Sequence, residues 1–433
     1  MPATMAPARV AEAVATIRKA PVLEHTLEDT LVEIRLRLGL GQLSYKRQQP
    51  VLGRVLVLRL RGDIPQAARL WDTHVPVYHI PQKFILWDTM TVLTSSHEKA
   101  LTLLFAELEA TATEQREAFL GSPGNLTQRT NASGTKFWVH RYSDAVGRRQ
   151  ETYLGTTEDQ AVIARLEPLR KRIEEANATI ARVRVLARAG FATVDRKTYS
   201  TLASLHNHGL FRAGAVLIGS HAFGALLNAL GVKTVPYATE DVDIARSEAL
   251  ALPEIPALID MLRETGIEFF EVPALNRRQH PTSFKEGGRS RLKIDLLVPS
   301  PGEGYPTIPV PELKAHAKGL PYLRYLLTDS QEVPVLSPHG VVLVRVPVPE
   351  RYAIHKLIVS QLRSKSSSKP GKDLRQAATL IEALIERFPG AVEDALTAVP
   401  KNAGRHVRRA AAALARYLPA SAETAWEALK SYA

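Results

Sequence analysis

The chain of 433 residues has no cysteine, which excludes disulfides, thiolate metal sites and cysteine nucleophiles and fits a reducing compartment. It also lacks any apolar run approaching the ~20 residues that a membrane helix needs. Its opening stretch, "MPATMAPARVAEAVATIRKAP", has no apolar core of the kind a secretory signal carries, and reads as a short amphipathic helix with Val10, Val14 and Ile17 on one side. A cytoplasmic protein without a membrane partner is therefore expected. No internal repeat of the ~20–50-residue length of solenoid units is visible. Acidic side chains are in deficit, 44 Asp and Glu against 56 Lys and Arg, for a formal net charge of +12. That balance suits a polyanionic partner, although a lineage rich in arginine has it too. A composition 45% hydrophobic and 23% charged is that of an ordinary globular protein, and the length implies two or three domains.

Periodicity divides the chain. Residues 1–89 form a poorly defined N-terminal extension, with a basic apolar run "GRVLVLRLRGDIP" and little regular pattern. The pattern changes at Met90, which reads as an alternative or true start. Residues 90–196 form a helical and β-hairpin region. In it, "SSHEKALTLLFAELEATATEQREAFL" carries serine caps and then Leu101, Leu104, Phe105 and Leu108 at helical spacing. Two strands, 136–142 and 148–154, follow around a turn with Asp144 and Gly147, and a charged helix over 157–189 has Ile163, Leu166, Leu169, Ile173, Ile180, Val183 and Leu186 as its stripe. Aromatics and bases interleave on the hairpin, which makes Lys136, Arg141, Arg148 and Arg149 candidates for nucleic-acid contact, while a small hairpin whose aromatics are its own core explains the same residues. Residues 197–349 alternate strand and helix, as a small α/β unit does. Residues 350–433 are wholly helical, broken by the polar "SKSSSKPGK" loop.

The chemistry concentrates in 197–349. In "TEDVDIA" a strand places Asp241 and Asp243 two residues apart, hence on one face. Two carboxylates so placed repel unless a divalent cation, shared protonation or flanking arginines offset them. Upstream, "AVLIGS" ends a strand in Gly219 and Ser220, where a glycine permits close backbone approach and a helix N-terminus can hold phosphate. A third carboxylate, Asp295, sits in the apolar strand "KIDLL", a costly place for a charge unless it serves a site. Seen alone, "DVD" reads as a strand end with solvated charges; the "GS" and Asp295 together favour a metal site. His221 and Glu240 read as exposed, His280 as structural, and Asp373 as a dipole partner at the start of its helix. Arg277, Arg278, Lys285, Arg289 and Arg291 cluster ahead of the Asp295 strand, suiting either a solvated loop or phosphate contact.

Gly219-Ser220, Asp241-x-Asp243 and a separate strand with Asp295 resemble the nucleotidyltransferase fold of the DNA polymerase beta superfamily. Over residues 95 to 385 the chain resembles a group of bacterial nucleotidyltransferase-fold proteins, through "TYLG", "GLFRAGAVLIG" and "TEDVDIA"; "RYAIHKL" and "KDLRQAATLI" are similar to the helices that follow the catalytic domain in toxin-type members. The resemblance implies an α+β fold: a polymerase beta-like mixed sheet with helices, preceded by the hairpin and long-helix region and followed by a C-terminal helical bundle. It implies transfer of a nucleoside monophosphate from an NTP to a hydroxyl on RNA or tRNA, a protein or a small molecule. Asp241, Asp243 and Asp295 would hold two Mg²⁺ ions, with Mn²⁺ able to substitute; Asp295 would help deprotonate the acceptor, and Gly219, Ser220, Lys356 and Lys372 would contact the nucleotide. A cognate antitoxin would be a further partner. The 20 residues between Ser220 and Asp241 exceed the compact spacing of many members, so the "GVKTVPYA" loop would stand at the mouth of the site. The alternative is a catalytically inactive module of this fold that binds nucleotide or nucleic acid; a purely structural scaffold would leave Asp295 unexplained.

Overall fold

The computed structural model describes residues 94–233, 239–251, 256–274, 276, 278–363, 369–414, 417 and 429. Expectations for the 1–89 extension, Met90, most of the "GVKTVPYA" loop, Arg277, the serine-rich segment 364–368 and the last helix lie outside them. The described residues belong to one compact unit, Thr89–Ala433.

The unit opens on β1 (Ser95–Ser96), which pairs antiparallel with Val232–Lys233. The serines expected to cap the next helix are thus held extended in a ladder. Helix α1 (Lys99–Glu114) starts after Glu98, whose side chain makes no capping bond. Next come β2 (Asn125–Thr130), β3 (Lys136–Ser143) and β4 (Arg149–Thr156), a three-stranded antiparallel sheet in the order β2-β3-β4. Its last two strands are the expected hairpin, closed where Asp144 Oδ1 accepts from the amides of Val146 and Arg148 and Gly147 takes φ +86°. Strand β2, "NLTQRT", is polar and has no buried residue, so no alternation marks it in sequence. Helix α2 (Gln160–Arg188) is capped by Asp159 and buries Val162, Leu166, Ile173, Ile180, Val183 and Leu186. Its stripe starts at Val162, and Ile163 faces solvent.

Helix α3 (Arg196–Asn207), capped by Asp195, leads into β5 (Val216–Ile218), α4 (Gly219–Ala229), β6 (Val232–Lys233), β7 (Asp241–Ala245), α5 (Leu258–Arg263), β8 (Phe269–Glu271), β9 (Ser283–Glu286) and β10 (Lys293–Pro299). Then follow β11 (Thr307–Val310), β12 (Ala315–Leu320), α6 (Leu323–Leu327), the antiparallel pair β13 (Ser330–Ser337) and β14 (Gly340–Pro347), and four helices: α7 (Pro349–Leu362), α8 (Lys369–Arg387), α9 (Ala391–Thr397) and α10 (Gly404–Leu414).

The main sheet runs β11-β12-β10-β7-β5, with β9 beside β10 and β8 beside β9. It is mixed: β10 is parallel to β7 and β12, whereas β5 is antiparallel to β7 and β9 antiparallel to β10. The architecture is the α+β class expected, a mixed sheet followed by helices. Alternation in "DVDIA" explains the placement of its acids, because Val242 and Ile244 are buried in the core with Leu217, Ile294, Leu296, Tyr352 and Leu357. Strands β9, β11 and β12 escaped the sequence reading: β9 has only four residues, and Pro309 in β11 and Gly319 in β12 obscure the period of two.

Candidate functional site

Backbone register brings the three acids together. Asp243 on β7 lies directly opposite Asp295 on the parallel strand β10, and opposite Ile218, the last residue of β5. Asp241, two residues before Asp243 on the same face, is exposed and lies opposite Lys293. Three carboxylates therefore share one face at the edge where the chain passes from β5 into α4.

The three are treated unequally. Asp295 is satisfied within the protein: Ser283 Oγ donates to its Oδ1 through a short hydrogen bond, and Lys293 Nζ lies 2.8 Å from its Oδ2. Burial would lower the Lys293 ammonium, but the Asp295 carboxylate it bonds, with Asp241 and Asp243 beyond, holds it above its ordinary value. Asp243 has no such donor among the described residues. Burial first, then the carboxylates of Asp295 and Asp241, push it up to about 6 against the pull of Lys356 and Lys293.

Gly219 has a specific reason to be glycine. Its φ is +72°, and a Cβ there would collide with Asp243 Oδ2. The first turn of α4 is thereby laid against the acid, and Tyr352 of α7 fixes it by donating to the Gly219 carbonyl at 2.6 Å. Ser220 Oγ accepts from Lys372 Nζ of α8 at 2.8 Å. Burial and the neighbouring Lys356 lower the Lys372 ammonium, as expected of a cation held beside other cations. Gly219, Ser220, Lys372 and the acids thus meet at one place, although α8 lies about 130 residues further along the chain than β7.

Two expectations are corrected here. Asp373 is not a dipole partner at the helix start: α8 begins at Lys369, and Asp373 is buried with Lys356 Nζ 2.9 Å from one oxygen and Arg363 Nε 2.6 Å from the other. His221 is not exposed; it lies on the buried face of α4, its Nε2 has no partner among the described residues, and burial first and Lys372 second bring it down to about 4 despite Asp195. Glu240 is exposed as expected, and His280 stacks on His316 with ring centroids 3.9 Å apart.

The hairpin candidates divide. Arg141 is drawn into a pair with Glu151, Nε to Oε1 2.9 Å, and Arg148 reaches Asp144 at 2.9 Å and the Gly266 carbonyl at 3.0 Å. Lys136 and Arg149 are exposed. None of the four is brought into contact with the acids by any described bond. The residues missed in sequence are those that support the site, namely Ser283, Lys293, Tyr352 and Arg363. Strand alternation marks Lys293, at i−2 from Asp295, and helical spacing marks Tyr352, at i−4 from Lys356; Ser283 has no local signal.

Asp241 and Asp243 present the oxygens with capacity for a cation, while those of Asp295 are engaged. Among the described residues, no three His, Cys, Asp or Glu side chains form a ready metal cage. Among them, too, no helix is long and apolar enough to cross a membrane.

Comparison with known proteins bears on the same stretch. No curated protein matches the chain. One solved structure, of an antigenic nucleotidyltransferase-like protein from Paracoccidioides brasiliensis, is similar over 52% of this chain and 94% of its own, at 17% identity and a TM-score of 0.27. Residues 196–400, just under half of the chain and the part that holds Gly219, Ser220, the three aspartates and both lysines, match the model of a nucleotidyltransferase family.

Proposed function

We propose that the chain transfers a nucleoside monophosphate from an NTP to a hydroxyl acceptor at the edge formed by Asp241, Asp243, Asp295 and the Gly219-Ser220 turn. The observation that carries this reading is the direct register of Asp243 with Asp295 beside a glycine that no other residue can replace without striking the acid. Asp243, pushed up to about 6 by burial and its acid neighbours, has no donor among the described residues, a state that carboxylates of charge-binding sites share. The family match over residues 196–400 supports the same assignment.

The donor set fits a hard divalent cation. It consists of carboxylate oxygens, and Mg²⁺ takes one or two of these and completes its shell with water and substrate phosphate, so a preformed cage is not required. Asp241 and Asp243 would hold such an ion, with Asp295 beside them; when bound it supplies charge neutralisation at the phosphates. The chain's own groups do the rest. Ser220 and the first amides of α4 receive phosphate oxygens, and Lys372 and Lys356 offset their charge. The acceptor oxygen forms its bond to the α-phosphorus, the bond from that phosphorus to the bridging oxygen breaks, and pyrophosphate leaves. The hydroxyl proton passes to a carboxylate of the edge. Asp295 is the base that the resemblance implies, and Ser283 and Lys293 hold its carboxylate in place beside Asp243.

The test is incubation of the full chain with each α-³²P-labelled NTP, Mg²⁺, total RNA and cell proteins, beside Asp241→Ala/Asp243→Ala. Label retained by an acceptor only when the acids are intact is the expected result. Nucleotide binding that depends on the acids, with no label transferred under any condition, would instead establish a binding module.

A further inference from the structure

Register extends the acid edge sideways across the sheet. Asp241 lies opposite Lys293, Lys293 opposite Lys285, and Lys285 opposite Phe270. Cross-strand partners share a face, so these four side chains form one row over β7, β10, β9 and β8. The bonds from Lys293 and Ser283 to Asp295 identify that face as the face of the acids. At ~4.8 Å per strand the row runs from Asp241 to Phe270 in ~14 Å.

The far end of the row is built in an unusual way. Phe269 is fully buried, as a β8 residue facing the core should be, whereas Phe270 is 53% exposed on the acid face. Gly287 lets that ring lie against the backbone, since a Cβ there would sit 2.9 Å from Phe270 Cε2. The ring's Cε2 and Cδ2 atoms are thereby held beside Gly287, while the residue stays half open to solvent. Beyond it lies an open groove of about 500 Å³ lined by Arg148, Glu268, Phe270, Glu286 and Gly287. The Arg148 side chain is 62% exposed even while it holds Asp144. Glu286, opposite the buried Phe269, accepts from Lys197 Nζ at 2.6 Å and faces away from the row. The sequence of groups is therefore carboxylate, two ammonium groups, an exposed aromatic ring, and a groove holding a guanidinium.

A single-stranded polynucleotide has the matching order: a terminal hydroxyl, phosphates, and a base that stacks on a ring. A small hydroxylic acceptor would use nothing past Lys293. We propose that the acceptor is a single-stranded nucleic acid whose 3′ end lies along this row, with its terminal hydroxyl at the acids, a phosphate at Lys285 and a base on Phe270. This rests on the transfer reading above, and adds to the hairpin arginines a track contiguous with the chemistry.

The experiment measures fluorescence anisotropy of the full chain with a fluorescein-labelled, unstructured RNA 12-mer and the same strand in a duplex. Variants are Phe270→Ala, Phe270→Trp and Lys285→Ala, and each is also tested for label transfer from α-³²P NTP. Phe270→Ala should weaken binding of the single strand about tenfold while Phe270→Trp retains it, because stacking needs only a π-face. Lys285→Ala should reduce the salt slope of binding by about 1. Single strand bound no better than duplex, or bound equally by all variants, overturns the track. So does label that goes to protein and not to RNA, an outcome that leaves the transfer reading intact. Binding that depends on Phe270 with no label transferred to any acceptor would support the track and refute the transfer.

Discussion

Asp243 and Asp373 are two carboxylates, one in the sheet and one between helices, handled in opposite ways by the same fold. Asp373 is buried between α7 and α8 with Lys356 on one oxygen and Arg363 on the other, so its charge is neutralised by the protein itself. Asp243 has acids at its sides and a bare glycine at its face, and its basicity rises to about 6. A neutralised carboxylate is architecture: it pins one helix to another. A carboxylate set among like charges with no donor among the described residues is the one the proposed transfer uses. Lys356 stands between the two, touching Asp373 and drawing on Asp243 from further away.

The contrast is most easily broken by removing charge. Asp241→Asn/Asp243→Asn should abolish transfer, by at least ~10³-fold on the scale of losing preorganised charge stabilisation, while circular dichroism and the unfolding cooperativity stay unchanged. Asp373→Ala should do the reverse and act through the fold. Two cations would be left around an empty space, and removing one partner of a buried pair costs about 3–5 kcal/mol, a clear fall in the denaturant midpoint. If Asp373→Ala is neutral to stability, the division between architectural and functional acids is wrong.

Gly219→Ala should sit between these extremes, losing both stability and activity, because its Cβ meets the Asp243 carboxylate and its φ of +72° is unfavourable for alanine. Shortening the acid in Gly219→Ala/Asp243→Ala should recover much of the denaturant midpoint and none of the turnover. Recovery of neither would place the strain elsewhere.

Asp243→Asn alone gives the pH test. The folded carboxyl is raised from its ordinary 3.8 to about 6, so the folded chain holds the proton more tightly than the unfolded one. The native chain is therefore free of the penalty below pH 3.8, loses stability as pH rises through 3.8 to about 6, and carries the full penalty above. The variant should be more stable than the parent at pH 8, by on the order of 2–3 kcal/mol at 1.36 kcal/mol per pH unit, and no more stable at pH 3.5. A stabilisation equal at both values would mean that Asp243 titrates normally.

How much of this was open to the sequence depended on distance along the chain. "DVDIA" and "KIDLL" show their acids by alternation, and Gly219-Ser220 announces a strand-to-helix turn, so the edge was legible residue by residue. The helices after 350 were legible from their period. What could not be read was anything set by register between distant strands: Ser283 reaching Asp295 across β9 and β10, or Phe270 falling into the row of Asp241 through two intervening lysines. Burial decided by tertiary neighbours was equally hidden. His221 and Asp373 carry polar side chains at helical positions that look exposed, and only the packing of α4 and of α7 on α8 encloses them. Strand β2, polar but for Leu126, gave no signal because the sheet it joins buries none of its residues.

The smallest expected effect concerns the two lysines and tells which carboxylate each serves. Lys372 adjoins Asp373 in sequence, yet it donates to Ser220 on the acid side, whereas Lys356 donates to Asp373. Lys372→Met should then change the denaturant midpoint little, because burial and neighbouring cations already disfavour the ammonium there, and should raise KM for the NTP by roughly tenfold, the worth of one charge-assisted hydrogen bond. Lys356→Met should show its main effect in stability, since it strips Asp373 of one counter-ion and leaves Arg363 alone to hold it. If Lys372→Met lowers stability and spares KM, Lys372 belongs with Asp373 and the nucleotide's phosphates must find their cation elsewhere on the edge.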